Sequence, residues 1–264
     1  MIYVVFIGLI LIFLIALGIK WEIRLSIVIP WACLMASLGS LSLYYLGKTF
    51  PNLPVVTQLI ICLAQSIIIT GIMILIMFYR DPNRIPPNKD RIILSPADGR
   101  IIYIKQINNG DFPFAIKGKK RIDLKEFTNE EFITDRGIQI GILMTYINIH
   151  VNRSPIKGRI NRIIKIPGHF LSLKNISSIL ENERVFTIID GNEINIGIVQ
   201  IASRLVRRIY SYVKEGENVQ IGQRIGIIKF GSQVDILIPY LDTINILVKP
   251  NEEVKAGTTI IATY

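Results

Sequence analysis

The sequence predicts a mainly β domain of α+β class, a compact barrel or sandwich with few helices, preceded by transmembrane helices. Three observations predict it. Residues 1–79 hold three long apolar runs in which Lys20, Glu22, Arg24 and Lys48 are the only charges. From Arg80 the texture changes to short, isoleucine-rich stretches broken by Gly, Asn and Asp, as strands and turns are. In the last third, a valine followed three residues later by glycine recurs as a regular beat.

The first apolar run, 2–19, lacks a charge and is long enough to cross a bilayer. It shows neither the basic start nor the small-residue cleavage site of a secretory signal. The second run covers 25–46, with Pro30 near its start, where a membrane helix tolerates it. Residues 47–57, with Pro51 and Pro54, read as a turn, and 58–79 form the third run. Lys20 and Arg24 then share a side with Arg80, Arg84, Lys89 and Arg91, against Lys48 alone on the other. The positive-inside rule therefore puts the C-terminal domain in the cytoplasm, as a multi-pass protein of the cell membrane. A shallow hairpin of the second and third runs gives the same placement. The expected division is an anchor at 1–79 and a folded domain at 80–264.

Half of the 264 residues are hydrophobic and 19% charged, and mean hydropathy is +0.44, too apolar for an ordinary soluble protein. Net charge is +10, of which the anchor holds +2 and the domain +8. A basic domain suits an anionic partner (nucleic acid, acidic lipid or a phosphorylated substrate), although on charge alone simple solubility is the favoured reading. The basic run 117–121 has no interleaved aromatics, which suits a solvated loop or contact with anionic lipid better than nucleic-acid readout. Cys33 and Cys62 both lie in apolar runs, so neither a disulfide framework nor a structural metal is indicated. His150 and His169 are the only histidines.

Residues 80–88, with Pro82, Pro86 and Pro87, form a stiff linker. Strands are expected at 91–95, 100–107, 113–116, 138–144, 158–166, 185–190, 194–203, 206–213, 224–229, 234–238, 244–248 and 259–263. A helix is expected at 171–184 and a helical turn within 124–132. Val213…Gly216 and Val219…Gly222, then Val248 and Val254…Gly257, set the recurring beat. That cadence resembles the biotinyl and lipoyl carrier fold, a flattened sandwich of two hammerheads. Carriers hold a modifiable lysine at the tip between the units. Here the tip reads Phe230-Gly231-Ser232, and Lys229 falls early and lacks the carrier motif. A Gly-Ser pair is either an ordinary turn or a bond whose serine hydroxyl can be bent back onto the glycine carbonyl.

Four segments carry a further likeness: FYRDPNRIPPNKDRIILSPADGRI (78–101), INIHVNRSPIKGRI (147–160), PGHFLSLKNISSILENER (167–184) and QIASRLVRRIYSYVKEGENVQIGQRIGIIKFGSQVDILIP (200–239). In this order and spacing they resemble the short, membrane-linked bacterial and archaeal branch of the phosphatidylserine decarboxylases. The resemblance implies a barrel-sandwich, hammerhead-containing decarboxylase domain made as a proenzyme. Carried over, it implies a self-made cut between Gly231 and Ser232, giving chains 1–231 and 232–264 that stay together as a heterodimer. Ser232 would become a covalent pyruvoyl cofactor, whose ketone forms a Schiff base with the amine of phosphatidylserine. Loss of carbon dioxide then yields phosphatidylethanolamine, with no metal.

The same resemblance assigns Asp98 the acidic place of an Asp-His-Ser processing triad, and His150 its base. Longer relatives carry H-x-x-H-x-P, and this chain has Arg153 at the second histidine. Either His150 serves both processing and decarboxylation, or Arg153 and a water take part of the work. Arg153, Arg207 and Arg208 are candidates for the lipid phosphate, with structural ion pairs as the plainer reading. The segment Asn182-Glu183-Arg184 matches positions of less certain role. His169 occupies a variable place and is expected to be non-catalytic, and Gln233 replaces the commoner threonine after the serine. Two other readings stay open: an ether-linked archaetidylserine as substrate, and a non-enzymatic membrane-tethered carrier-like module.

Overall fold

The computed structural model describes residues 2–108, 136–166, 183–202, 208–229 and 232–264. The chain forms two compact units, Met1–Tyr79 with Thr145–Ile147, and Arg80–Met144 with Asn148–Tyr264.

The first unit holds α1 (Ile2–Lys20), α2 (Leu25–Thr49) and α3 (Val55–Tyr79), each long and apolar enough to cross a membrane. Phe6, Ile10, Leu14 and Gly18 recur every four residues on the buried stripe of α1. They meet Ala32, Met35, Ala36 and Leu43 of α2 and Cys62 of α3. Small residues set the approach: a Cβ on Gly39 would lie 2.3 Å from the Phe6 ring, and one on Gly18 2.5 Å from Val28. The turn expected at 47–57 is shorter than its two prolines suggested, because helix continues to Thr49 and resumes at Val55.

The second unit is built on one eight-stranded antiparallel sheet, curled into a half-barrel. Its members are β2 (Gly99–Asn108), β3 (Arg136–Met144), β5 (Gly158–Ile166), β6 (Arg184–Asp190), β7 (Asn195–Ala202), β9 (Asn218–Val219), β11 (Ser232–Pro239) and β13 (Glu253–Val254). Their order across the sheet is β13-β2-β3-β11-β7-β6-β5-β9. Two three-stranded sheets complete the unit. One runs β1 (Ile92–Leu94), β14 (Ile260–Thr263), β12 (Asn245–Ile246); the other runs β4 (Val151–Arg153), β10 (Arg224–Ile228), β8 (Ile209–Ser211). The core is largely isoleucine and valine at alternate strand positions, among them Ile140, Ile142, Ile196, Ile198, Val234 and Ile236.

The valine beat has a structural meaning. Val213, Val219, Val248 and Val254 are all buried. Three residues on, Gly216, Gly222, Asn251 and Gly257 all adopt left-handed backbone, at φ 83°, 74°, 72° and 69°. These turns belong to two matching halves that the SPADG and SPIKG segments extend. Ser95 and Ser154 each bond the carbonyl two residues on, and each accepts at its own carbonyl from the paired glycine N–H, Gly257 and Gly222 respectively. The halves also clasp one another: Leu94 N–H donates to Pro155 O, and Arg153 N–H to Pro96 O.

Some expectations shift. β11 begins at Ser232 rather than Val234, because the ladder engages β3 and β7 on both sides from its first residue. Arg184, expected to close a helix, opens β6 opposite Ile201. Glu183 before it is not helical, and residues 171–182 of that helix, the 113–116 strand and the 124–132 turn lie outside the described residues. The short strands β4, β9 and β13 carry too few residues to show an alternation in sequence.

Candidate active site

Asp98 stands in the SPADG turn that leads into β2, where Gly99 passes so close to β3 that a Cβ would meet Leu143 O at 2.2 Å. Its side chain is buried. Both terminal nitrogens of Arg84 donate to the carboxylate, at 2.5 and 2.8 Å, and the Ala256 N–H adds a third bond at 2.8 Å. Arg84 also donates to Ala256 O at 2.7 Å. The linker expected to be a spacer is therefore the partner of the candidate acid. The basic residue was visible in RDPNR, but its partner was not, since the two meet only through folding.

His150 lies fully buried at the head of β4. Its Nδ1 is 2.8 Å from Asn148 O, which places the ring proton there and leaves Nε2 as the basic nitrogen. Burial pushes its pKa down to about 4, against smaller upward effects of the Asn148 carbonyl and the Asp98 charge. The imidazole is thus neutral at ordinary pH, the form a general base needs. Asp98 acts on it through space, while its hydrogen bonds go to Arg84 and Ala256.

Arg153 is buried and engaged by the linker. It donates to Asp81 Oδ1 at 2.8 Å, Pro82 O at 3.0 Å and Gly222 O at 3.1 Å, and Arg224 holds the other Asp81 oxygen. The position of a second histidine thus carries a fastening residue. Arg208 is exposed beside Tyr210, whose ring also carries Lys229 Nζ at 4.9 Å from its centroid. Glu183 accepts from Ile209 N–H, and Arg184 is buried with its pKa pushed down to about 10. Arg207, His169, Asn182, Gly231 and residues 117–121 lie outside the described residues.

Ser232 pairs in register with Met144 on one side and Ala202 on the other, which fixes its backbone at the centre of the sheet. β4, which follows His150, touches a register partner of Ser232, Met144. Ile228 N–H donates to His150 O, and Asn152 reaches the sulfur of Met144 at 3.9 Å while accepting from Gln200 at 2.7 Å. Asn152 and Gln200 were not singled out in sequence, where neither belongs to a recognisable chemical pattern.

A sequence model of the family described as phosphatidylserine decarboxylase matches residues 73–262. The chain belongs to the phosphatidylserine decarboxylase family. It is 36% identical over 197 residues to a phosphatidylserine decarboxylase proenzyme of Pelodictyon phaeoclathratiforme, covering 74% of this chain and 82% of that one. It is 42% identical over 192 residues to a Methanocaldococcus jannaschii protein provisionally named an archaetidylserine decarboxylase proenzyme, covering 71% and 88%. A third relative, the phosphatidylserine decarboxylase proenzyme of Azorhizobium caulinodans, is 37% identical over 188 residues, with 71% and 72% covered. The matched stretch includes Asp98, His150 and Ser232. For a phosphatidylserine decarboxylase the donor set is coherent: a serine locked at a strand head, a neutral buried imidazole, and a carboxylate held by a cation. The residues present would suit a covalent pyruvoyl group. Among the described residues, no group of histidine, cysteine or acidic side chains is placed to hold a metal.

Proposed function

We propose that this protein is a membrane-anchored proenzyme that cuts itself between Gly231 and Ser232 and then removes the serine carboxylate of phosphatidylserine, giving phosphatidylethanolamine. The observation that carries the reading is the buried His150, neutral and with its basic Nε2 fixed by the Nδ1 bond to Asn148, within a chain of this family. In the cut, Nε2 takes the Ser232 hydroxyl proton and the oxygen attacks the Gly231 carbonyl. The peptide C–N bond breaks and its nitrogen takes a proton, leaving an ester. Loss of the Ser232 α-proton then expels the Gly231 carboxylate, and water replaces the remaining nitrogen, released as ammonia. The pyruvoyl so formed supplies an electron sink for the pair left when carbon dioxide departs.

His150 serves both steps in this reading: as base in the cut, and then, once Nε2 has taken a proton from the ammonium group of the incoming serine lipid, as donor of that proton to the product carbon. Arg84 and Asp98 set the field around it. Arg208, and Arg207 next to it in sequence, meet the lipid phosphate. Arg153 fastens the linker, as its bonds to Asp81, Pro82 and Gly222 support. The two pieces remain one heterodimer, 1–79 forms the multi-pass anchor, and 80–264 works on the cytoplasmic face of the cell membrane.

Intact-mass analysis of the purified protein tests the reading directly. Two chains are expected, 1–231 and a blocked 232–264, together with carbon dioxide release from phosphatidylserine vesicles. A single uncut chain that persists under native conditions overturns it. The 42% identity to the Methanocaldococcus protein favours an ether-linked serine lipid as the second reading. Rates on ester- and ether-linked vesicles of equal headgroup content decide between the two.

A further inference from the structure

The side of β11 that faces away from Val234 and Ile236 carries a buried polar cluster next to the cut. Asp235 is fully buried and accepts three bonds: from Tyr103 Oη at 2.6 Å, from Gln139 Nε2 at 2.6 Å and from Gln233 Nε2 at 2.7 Å. Gln233 Nε2 also donates to Tyr103 Oη at 2.7 Å, closing a ring of bonds. Lys105 Nζ lies 4.1 Å from the centroid of the Tyr103 ring. Three donors on one carboxylate suit its ionised form, although burial pushes its pKa up.

The cluster crosses three strands because of one residue. In the ladder, Tyr103 and Asp235 are both register partners of Gly141, on opposite sides of β3. The Tyr103 ring lies over Gly141 so closely that a Cβ there would be 2.4 Å from it. Only a missing side chain lets the phenol span the middle strand and reach β11. A cluster of this cost, built around a fully buried acid, asks for a reason beyond stability, since apolar residues in its place would stabilise as well.

Its position supplies the reason. Gln233 directly follows Ser232, so the cluster clamps the chain one residue beyond the nucleophile. We propose that the Tyr103–Gln233–Asp235–Gln139 cluster is a positioning device for residue 232, holding it before the cut and, afterwards, as the first residue of the small chain. Strand ends fray when their only ties are ladder bonds. A cut before residue 232 would make the first residue of β11 such an end, and the Gln233 side chain ties it to Tyr103 of β2 and, through Asp235, to Gln139 of β3. Asp235, Tyr103 and Gln139 are positioning residues: they act through Gln233 and the backbone of β11.

This inference rests on the self-cleavage reading, and the test separates the two. Asp235→Asn and Tyr103→Phe are compared with Ile261→Val, a core change in β14 on a different sheet, at matched melting temperature. Cleavage is followed by denaturing gel and mass, and kcat and KM are measured on the fraction already cut. Both cluster variants should cut at least tenfold more slowly than the control and show a lowered kcat with KM within twofold. Cutting and kcat equal to the control at equal melting temperature overturn the positioning role and leave the proposed function standing. A wild-type chain that never cuts overturns the proposed function instead. If Asp235→Asn does not fold, Tyr103→Phe, which removes one hydroxyl, decides alone.

Discussion

Arg84 grips Asp98 with both terminal nitrogens, at 2.5 and 2.8 Å, and neither side chain is more than 11% exposed. The candidate acid therefore meets His150 as half of an ion pair, with its geometry set by a residue of the linker.

Arg84→Leu leaves the buried Asp98 carboxylate with the Ala256 N–H as its one remaining partner among the described residues. The expected cost is about 3 kcal/mol of stability, the range for breaking a buried pair. Self-cleavage should fall by more than tenfold. Arg84→Lys keeps the charge but loses the two-pronged grip and should fall between. Thermal melts and gel-based cleavage time courses measure both.

The low pKa of His150 makes a signed prediction. Above pH 6.5 the imidazole is neutral in folded and unfolded chains alike and adds no pH dependence. As pH falls from 6.5 towards about 4, the unfolded chain takes up a proton that the folded chain refuses. Stability should therefore fall by about 1.4 kcal/mol per pH unit across that window. The cleavage rate, which needs the neutral ring, should stay level through it and drop near its lower end. Denaturant melts of wild type against His150→Gln, from pH 8 to 4, isolate this contribution. His150→Gln itself should not cut.

Much of this was legible in the chain. The apolar runs, the strand-rich texture and the valine beat follow from local composition, which is where sequence speaks directly. SPADG and INIHVNRSP pointed to Asp98 and His150. What stayed hidden depends on contacts far apart in sequence: Arg84 with Asp98, Arg153 with Asp81, and Tyr103 with Asp235 across Gly141. Asn251 was hidden differently, since it performs a glycine's task without being one, in the left-handed turn after Val248. The pairing of SPADG with SPIKG escaped notice because their shared Ser, Pro and Gly set backbone, and their differing residues set chemistry.

The four left-handed turns give a contrast in stability. Gly222→Ala places a Cβ at φ 74° and 2.5 Å from Pro86 and should cost at least about 1 kcal/mol. Asn251→Gly relieves a non-glycine residue of φ 72° and should change the melting temperature little in either direction. Differential scanning calorimetry of the two variants checks the pair.

Arg153→His writes back the second histidine of the longer relatives. The bonds to Asp81, Pro82 and Gly222 are lost, and among the described residues Asp81 keeps Arg224 alone. Lower stability and slower cutting are expected, with no gain in decarboxylation per cut molecule. A rise in kcat on phosphatidylserine would instead mean that this position takes part in the chemistry.

The place of β11 has a consequence for the pieces themselves. Residues 232–264 supply the strand between β3 and β7, the strand β13 against β2, and both β12 and β14 of a separate sheet. Were the chain opened ahead of Ser232, the shorter piece would still be woven through the longer one at several points. To let go it would have to dismantle the half-barrel, so release and unfolding are a single event. Dilution, which separates ordinary subunits, would have no purchase on such a pair. The chain could thus be broken once, early in its life, and carry the break without risk of losing its parts.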